Sequence, residues 1–305
     1  MIWLGAKRGF LTDYVTQLWV RASGRRITLE EYPWLEGPIG KPTGIGPNFF
    51  EELAKHENLS VRPGLGLLPR FDALAGPNFR PETVAPLVKD FYEQTSGYEL
   101  EAWSEWCGIF RPFGRLLAVL FSRRLQQLNV PLSAMDTSQG VQSNVIDLVD
   151  PIEGKTRYTA WMRILLGSRR VLYAGSYSTV RVSGFDGICI KVAFPLPNGN
   201  AIVIMYPTSQ DDSSFTITSS GRSFGDPGFY FTVRHNERLW AKYVPSMKES
   251  IHVYQTPDSD VRADHRLRFF GAIFLRLHYR LRRSQHMRGL AGSSKGTFRE
   301  ARPLQ

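Results

Sequence analysis

Three histidines, His252, His265 and His278, fall in a stretch rich in Val, Ile, Tyr, Thr and Phe. Histidine titrates near neutral pH and ligates metals, so three on neighbouring segments raise either a metal site or an acid–base centre. Strand phase separates them. His265 alternates in step with Ala263, Leu267 and Phe269, His278 shares a side with Arg276 and Arg280, and His252 sits with Lys248, Ser250 and Tyr254. A shared metal site is therefore disfavoured, and no metal is expected. What remains is acid–base work by His252 or His265, with Glu249 or Asp264 nearby, set against the plainer role of a hydrogen-bonded core histidine. Tyr230 follows the turn Phe224-Gly225-Asp226-Pro227-Gly228-Phe229 and offers a hydroxyl to a ligand or to that turn. His252, His265, Glu249 and Tyr230 are the catalytic candidates.

A second group is suited to binding. Trp103 and Trp106, three residues apart on a helix expected over 99–106, present two indoles on one face, as a wall over a ligand or as packing for a helical layer. Arg111 and Arg115 can meet a carboxylate or phosphate with paired donors, or simply solvate a helix start. Phe229 and Phe231 add apolar wall from one strand face. Stronger motifs are absent: there is no phosphate loop, no HExxH, no GxSxG and no EF-hand loop. Gly64-Leu65-Gly66 lacks the third glycine of a dinucleotide fingerprint, and His235-Asn236-Glu237 lacks the PCxxC partner of a zinc deaminase. No cofactor is expected.

Positioning these residues is the work of four zones in a chain of 305 residues. Residues 1–80 are punctuated by Pro and Gly, with short helices expected at 10–20 and 47–56, the latter capped by Asn48. Residues 80–130 read as helical, from Pro81 to about Thr95, from Glu99 to Trp106 and from Pro112 to Leu128. The last of these is amphipathic enough to lie on a membrane surface, although a sheet needing cover is the simpler destination. From 143 to 280 the pattern is period-two alternation, with strands expected at 143–149, 156–166, 169–181, 187–194, 200–206, 213–219, 228–234, 247–256, 261–269 and 272–280. Short turns between them imply antiparallel neighbours. The expected fold is α+β: a helical N-terminal layer (1–135) packed on an antiparallel β barrel of about ten strands (136–280), with one apolar and one polar face per strand. Residues 281–305 form a basic, disordered tail that carries six basic side chains against Glu300, half of the net charge of +10.

With 42% apolar residues the chain can bury a core, which excludes wholesale disorder. Cys107 and Cys189 exclude a disulfide framework and a sulfur-rich zinc site. Residues 1–22 lack a secretion signal, and no window is apolar enough for a spanning helix, so a cytoplasmic protein is expected.

Four local motifs carry a resemblance: Trp34-Leu35-Glu36-Gly37-Pro38, Trp103-Ser104-Glu105-Trp106, Phe110-Arg111-Pro112-Phe113-Gly114-Arg115-Leu116 and Phe194-Pro195-Leu196-Pro197-Asn198-Gly199. Over about residues 32–280 the chain resembles a family of uncharacterised bacterial proteins, which implies no activity, cofactor or catalytic residue. The strand count is similar to that of the calycin barrels (lipocalins, fatty-acid binders and related isomerases and cyclases), by architecture alone.

The reading that follows is a barrel binding a hydrophobic small molecule, lipid- or isoprenoid-like, with an acidic end on Arg111 or Arg115. An alternative is a cofactor-independent isomerase, cyclase or hydratase on such a substrate. A third is a basic protein associated with an anionic membrane surface or nucleic acid, through residues 281–305 or through the outward arginines.

Overall fold

The computed structural model describes residues 11–41, 45–108, 141–167 and 169–284. In chain order the first half contains α1 (Leu11–Ser23), β1 (Arg25–Ile27), α2 (Phe49–His56), β2 (Ser60–Pro63), α3 (Pro86–Glu93) and β3 (Tyr98–Trp106). The second half is all strand: β4 (Val141–Val149), β5 (Thr156–Leu165), β6 (Val171–Val180), β7 (Cys189–Leu196) and β8 (Gly199–Ser209). It continues with β9 (Phe215–Ser219), β10 (Phe229–His235), β11 (Arg238–Tyr243), β12 (Met247–Gln255), β13 (Val261–Phe269) and β14 (Ala272–Arg283).

All fourteen strands belong to one antiparallel sheet, in the order β2-β4-β5-β6-β7-β8-β9-β12-β13-β14-β3, with β10, β11 and β1 branching from the first half of β8. Each of the ten strand windows legible in the sequence holds a strand here. Local turn chemistry explains the hairpins. Pro197 and Asn198, the latter at φ +60°, join β7 to β8, and Asn236 and Glu237, at φ +49° and +61°, join β10 to β11. The ladder does not close, because β2 and β3 at its ends do not pair. The segments flanking them are linked, with Ser96 N–H donating to Leu65 O at 2.9 Å.

Two expectations are corrected. Residues 99–106 are strand β3, pairing with β14, and not a helix. Glu99, Glu101, Trp103 and Glu105 alternate with Leu100, Ala102, Ser104 and Trp106 at period two, and this wins over the three-residue spacing of the indoles. The helix expected from Pro81 to Thr95 is α3 flanked by single 3₁₀ turns at Pro81–Thr83 and Thr95–Gly97. Ala85 N–H is bonded to Ser213 O on the sheet side, which interrupts the helical ladder there. The helix expected at 112–128 lies outside the described residues.

One face of nearly every strand feeds a single large core. Val145, Trp161, Ile190, Val192, Val203, Met205, Phe215, Ile217, Val253, Val261, Ala263 and Leu281 meet there with Phe71, Phe79, Val88, Phe91 and Tyr92 from the segment around α3. This is the inner face. The opposite face of β4–β6 is covered by α2, through Phe49, Phe50 and Leu53. The opposite face of β7, β8 and β10 is covered by residues around Trp34 and Leu35. The expected polar outer face is therefore absent on β7: Cys189 and Ala193 are buried, and so is Lys191, whose Nζ donates to Glu36 O at 2.8 Å. Burial pulls that ammonium down to about 8, with the Glu36 charge opposing.

Candidate functional site

The inner face carries polar side chains among its apolar ones: Thr159 donates to Asp147 Oδ1 at 2.7 Å in phase with Trp161, and a larger polar group gathers around Arg163. Arg163 of β5 stands in phase with Trp161 and directly opposite Tyr173 of β6. Tyr173 and Tyr177 share that face, four residues apart, with their hydroxyls 2.5 Å from one another. From β12, β13 and β14 come Glu249, His265 and Tyr279. His265 Nε2 is 2.9 Å from Glu249 Oε2, and the His265 and Tyr279 rings stack at 6.3 Å. Tyr173 and Tyr279 both feel the charges of Arg163 and Glu249.

The walls are aromatic. Trp161 packs edge-on to Tyr173 at 5.4 Å and donates its indole N–H to Ser143 Oγ at 2.8 Å, and Tyr173 meets Phe194 at 5.5 Å. Burial raises the phenol pKa of Tyr173, Tyr177 and Tyr279, so these hydroxyls stay neutral donors across the physiological range. Burial also lowers the Arg163 pKa, opposed by the tyrosines around it. A guanidinium nevertheless keeps its charge in proteins. Among the described residues Arg163 makes no hydrogen bond or ion pair, and its Nε is buried without an acceptor. Its guanidinium carbon stands 5.8 Å from the centre of the Trp161 ring.

Arg163, Tyr173, Tyr177 and Tyr279 are half-buried. Such a cluster can hold an anionic group by charge and neutral donors, and the His265–Glu249 pair can move a proton beside it.

The residues singled out from sequence are scattered by the fold. Glu249 and His265 come together on the inner face. His252 lies on the other face, where Nε2 is 2.7 Å from Ser214 Oγ and the ring stacks on Tyr254. His278 is outward too, with Nδ1 2.6 Å from Asp264 Oδ1, and no metal-binding group of side chains occurs among the described residues. Tyr230 is fully buried in the covering layer, where its hydroxyl accepts from Gly225 N–H at 3.0 Å and donates to Asp226 O at 2.5 Å. It serves its own turn. Phe229 packs on the main core, whereas Phe231 meets Trp19 of α1 at 5.9 Å. Trp103 and Trp106 point to opposite faces of β3: Trp103 is 49% exposed and stacks on His278 at 5.5 Å, and Trp106 is half-buried near Phe274. Arg111 and Arg115 lie outside the described residues.

Arg163, Tyr173 and Tyr177 were not legible as a site, although a signal existed. An arginine two residues from a tryptophan in a strand buried on both faces is an inward charge, and two tyrosines four apart in the next strand share its side. Tyr279 was legible as inward but not as polar.

No family model matches the chain, and no solved structure matches it. A relative in Bacillus subtilis (strain 168), described as uncharacterized membrane protein YndJ, is 28% identical over 237 residues, 77% of this chain. The chain spans 41% of that protein's length. The similarity agrees with the resemblance to uncharacterised bacterial proteins carried by the sequence motifs.

Proposed function

We propose that the curled sheet forms a calycin-like barrel around a site for one amphipathic molecule, with an apolar body and an anionic head on Arg163. One observation carries this reading. A guanidinium Nε buried without an acceptor is costly, and it is retained where a ligand supplies the acceptor. The partly covered tyrosines around it favour open interior space over filled packing, and the aromatic walls suit an apolar body. Arg163 takes the role that the sequence suggested for Arg111 or Arg115.

The test is a titration of ligand-stripped protein with a fluorescent long-chain fatty acid, and with the matching alcohol as neutral control. The acid should bind, and the alcohol about tenfold or more weakly, because a charged hydrogen bond is worth roughly 1.5–3 kcal/mol. Arg163→Met should erase the preference. Equal binding of acid and alcohol by the unaltered protein would remove the basis for the head-group site.

A second reading, cofactor-free proton transfer on the bound molecule, rests on the His265–Glu249 pair in the same interior. Cytoplasmic placement belongs to the proposal and draws on Cys107 and Cys189 both being free thiols. The relative is named a membrane protein. In this chain no helix among the described residues is long and apolar enough to cross a membrane.

A further inference from the structure

The hairpin joining β13 to β14 ends in two phenylalanines that fit no internal need. Phe269 is 39% exposed and Phe270 79%, with their rings 4.7 Å apart. Phe270 sits at φ +48° before Gly271 at φ +85°, a two-residue turn that favours Asn or Gly at its first position. A bulky residue in the left-handed region is an outlier, so this ring is both conformationally costly and wet. The tip is not loose, because Phe270 N–H donates to Ser246 O at 2.9 Å.

Behind the tip the outward face is cationic in a specific arrangement. Lys248 lies directly opposite Arg268, and Arg266 directly opposite Arg276. Like charges facing one another across a ladder are destabilising. Arg276 has one acid, Glu105 at 3.4 Å, whereas Lys248, Arg266 and Arg268 have no ion pair among the described residues. At the rise of a strand Arg268 and its neighbour Lys248 stand roughly 7–8 Å behind Phe270, and the Arg266–Arg276 pair roughly 13 Å behind it. That is the spacing of an interfacial anchor, with apolar rings at acyl depth and cations at the level of the lipid phosphates.

We infer that the β13–β14 hairpin docks the protein on an anionic lipid surface, with Phe269 and Phe270 inserted and Lys248, Arg266, Arg268 and Arg276 on the head groups. A lipid surface fits better than a nucleic acid, because the two rings form a protruding point and not a row of stacking platforms along a groove. The inference stands apart from the interior site and does not require Arg163.

The discriminating variant is Phe270→Asn in the full chain, which leaves the tail and every cation in place. Asn suits the left-handed position, so Tm should hold or rise. The unaltered protein should sediment with phosphatidylcholine vesicles containing phosphatidylserine, less so at high salt, and not with pure phosphatidylcholine. Phe270→Asn should weaken that binding about tenfold or more, and Arg268→Glu should weaken it as well. Three results would overturn the inference: vesicle binding unchanged in Phe270→Asn, no dependence on phosphatidylserine, or displacement from vesicles by a single-stranded oligonucleotide. A lower Tm in Phe270→Asn with unaltered vesicle binding would assign the rings to the chain's own packing, and that too would overturn it.

Discussion

Replacing Arg163 with methionine should make the ligand-free protein more stable. Arg163 is half-buried on the inner face, with its Nε buried and unbonded and no ion pair among the described residues. Leaving a buried donor unpaired costs about 1–3 kcal/mol, which an apolar side chain of similar volume removes. Against this stands the loss of its contact with the Trp161 ring at 5.8 Å, worth about 0.5–1 kcal/mol. The balance is a gain of about 1–2 kcal/mol, or a rise in Tm of roughly 2–3 °C for a chain of this size. The assay is urea unfolding and calorimetry on protein stripped of ligand under denaturing conditions and refolded. Adding the fatty-acid probe should then stabilise the unaltered protein in proportion to its concentration, but not Arg163→Met. A variant less stable than its parent by more than about 1 kcal/mol would refute the reasoning, because the guanidinium would then be holding the sheet together.

Lys191 makes stability depend on pH in a defined direction. Its folded pKa of about 8 lies below its ordinary value of 10.5, so the unfolded chain binds more protons between the two and stability rises with pH across that window. The gap corresponds to about 3 kcal/mol, and the advantage of Lys191→Met over the parent should shrink by that amount between pH 7 and pH 11 in denaturant melts; a constant difference would contradict it. Tyr230→Phe should lose about 1–2 kcal/mol by freeing Gly225 N–H and Asp226 O, with fatty-acid affinity unchanged by titration. Trp103→Ala, on the outer face, should leave interior fatty-acid affinity within about twofold and stability within about 1 kcal/mol.

Local pattern made most of the sheet legible. Alternation located β4–β10 and β12–β14. β11 was missed because Arg238–Tyr243 is short and mixed, and it is a strand because a tight turn returns it onto β10. Trp103 and Trp106 suggested a helix through one pair spacing, while Glu99, Glu101 and Glu105 already carried the strand period. The burial of Lys191 was invisible for another reason: its cover, around Trp34 and Glu36, is about 155 residues away in sequence. Glu249 and His265 were identified as residues, but their contact depends on the register of β12 against β13, fixed across the loop 256–260. Phase cannot supply register. That the charge of Arg163 on β5 reaches Tyr279 on β14 depends on strands far apart in the sheet order, which is information held by the whole sheet.

The most direct measurement is native mass spectrometry of the full chain, purified without detergent, followed by denaturing extraction of bound material, in parallel with Arg163→Met. The expected result is a defined amphipathic acid that leaves the unaltered protein only on denaturation and is missing from the variant. An apo mass that persists after incubation with a panel of long-chain acids and lipid phosphates would contradict the interior anion site.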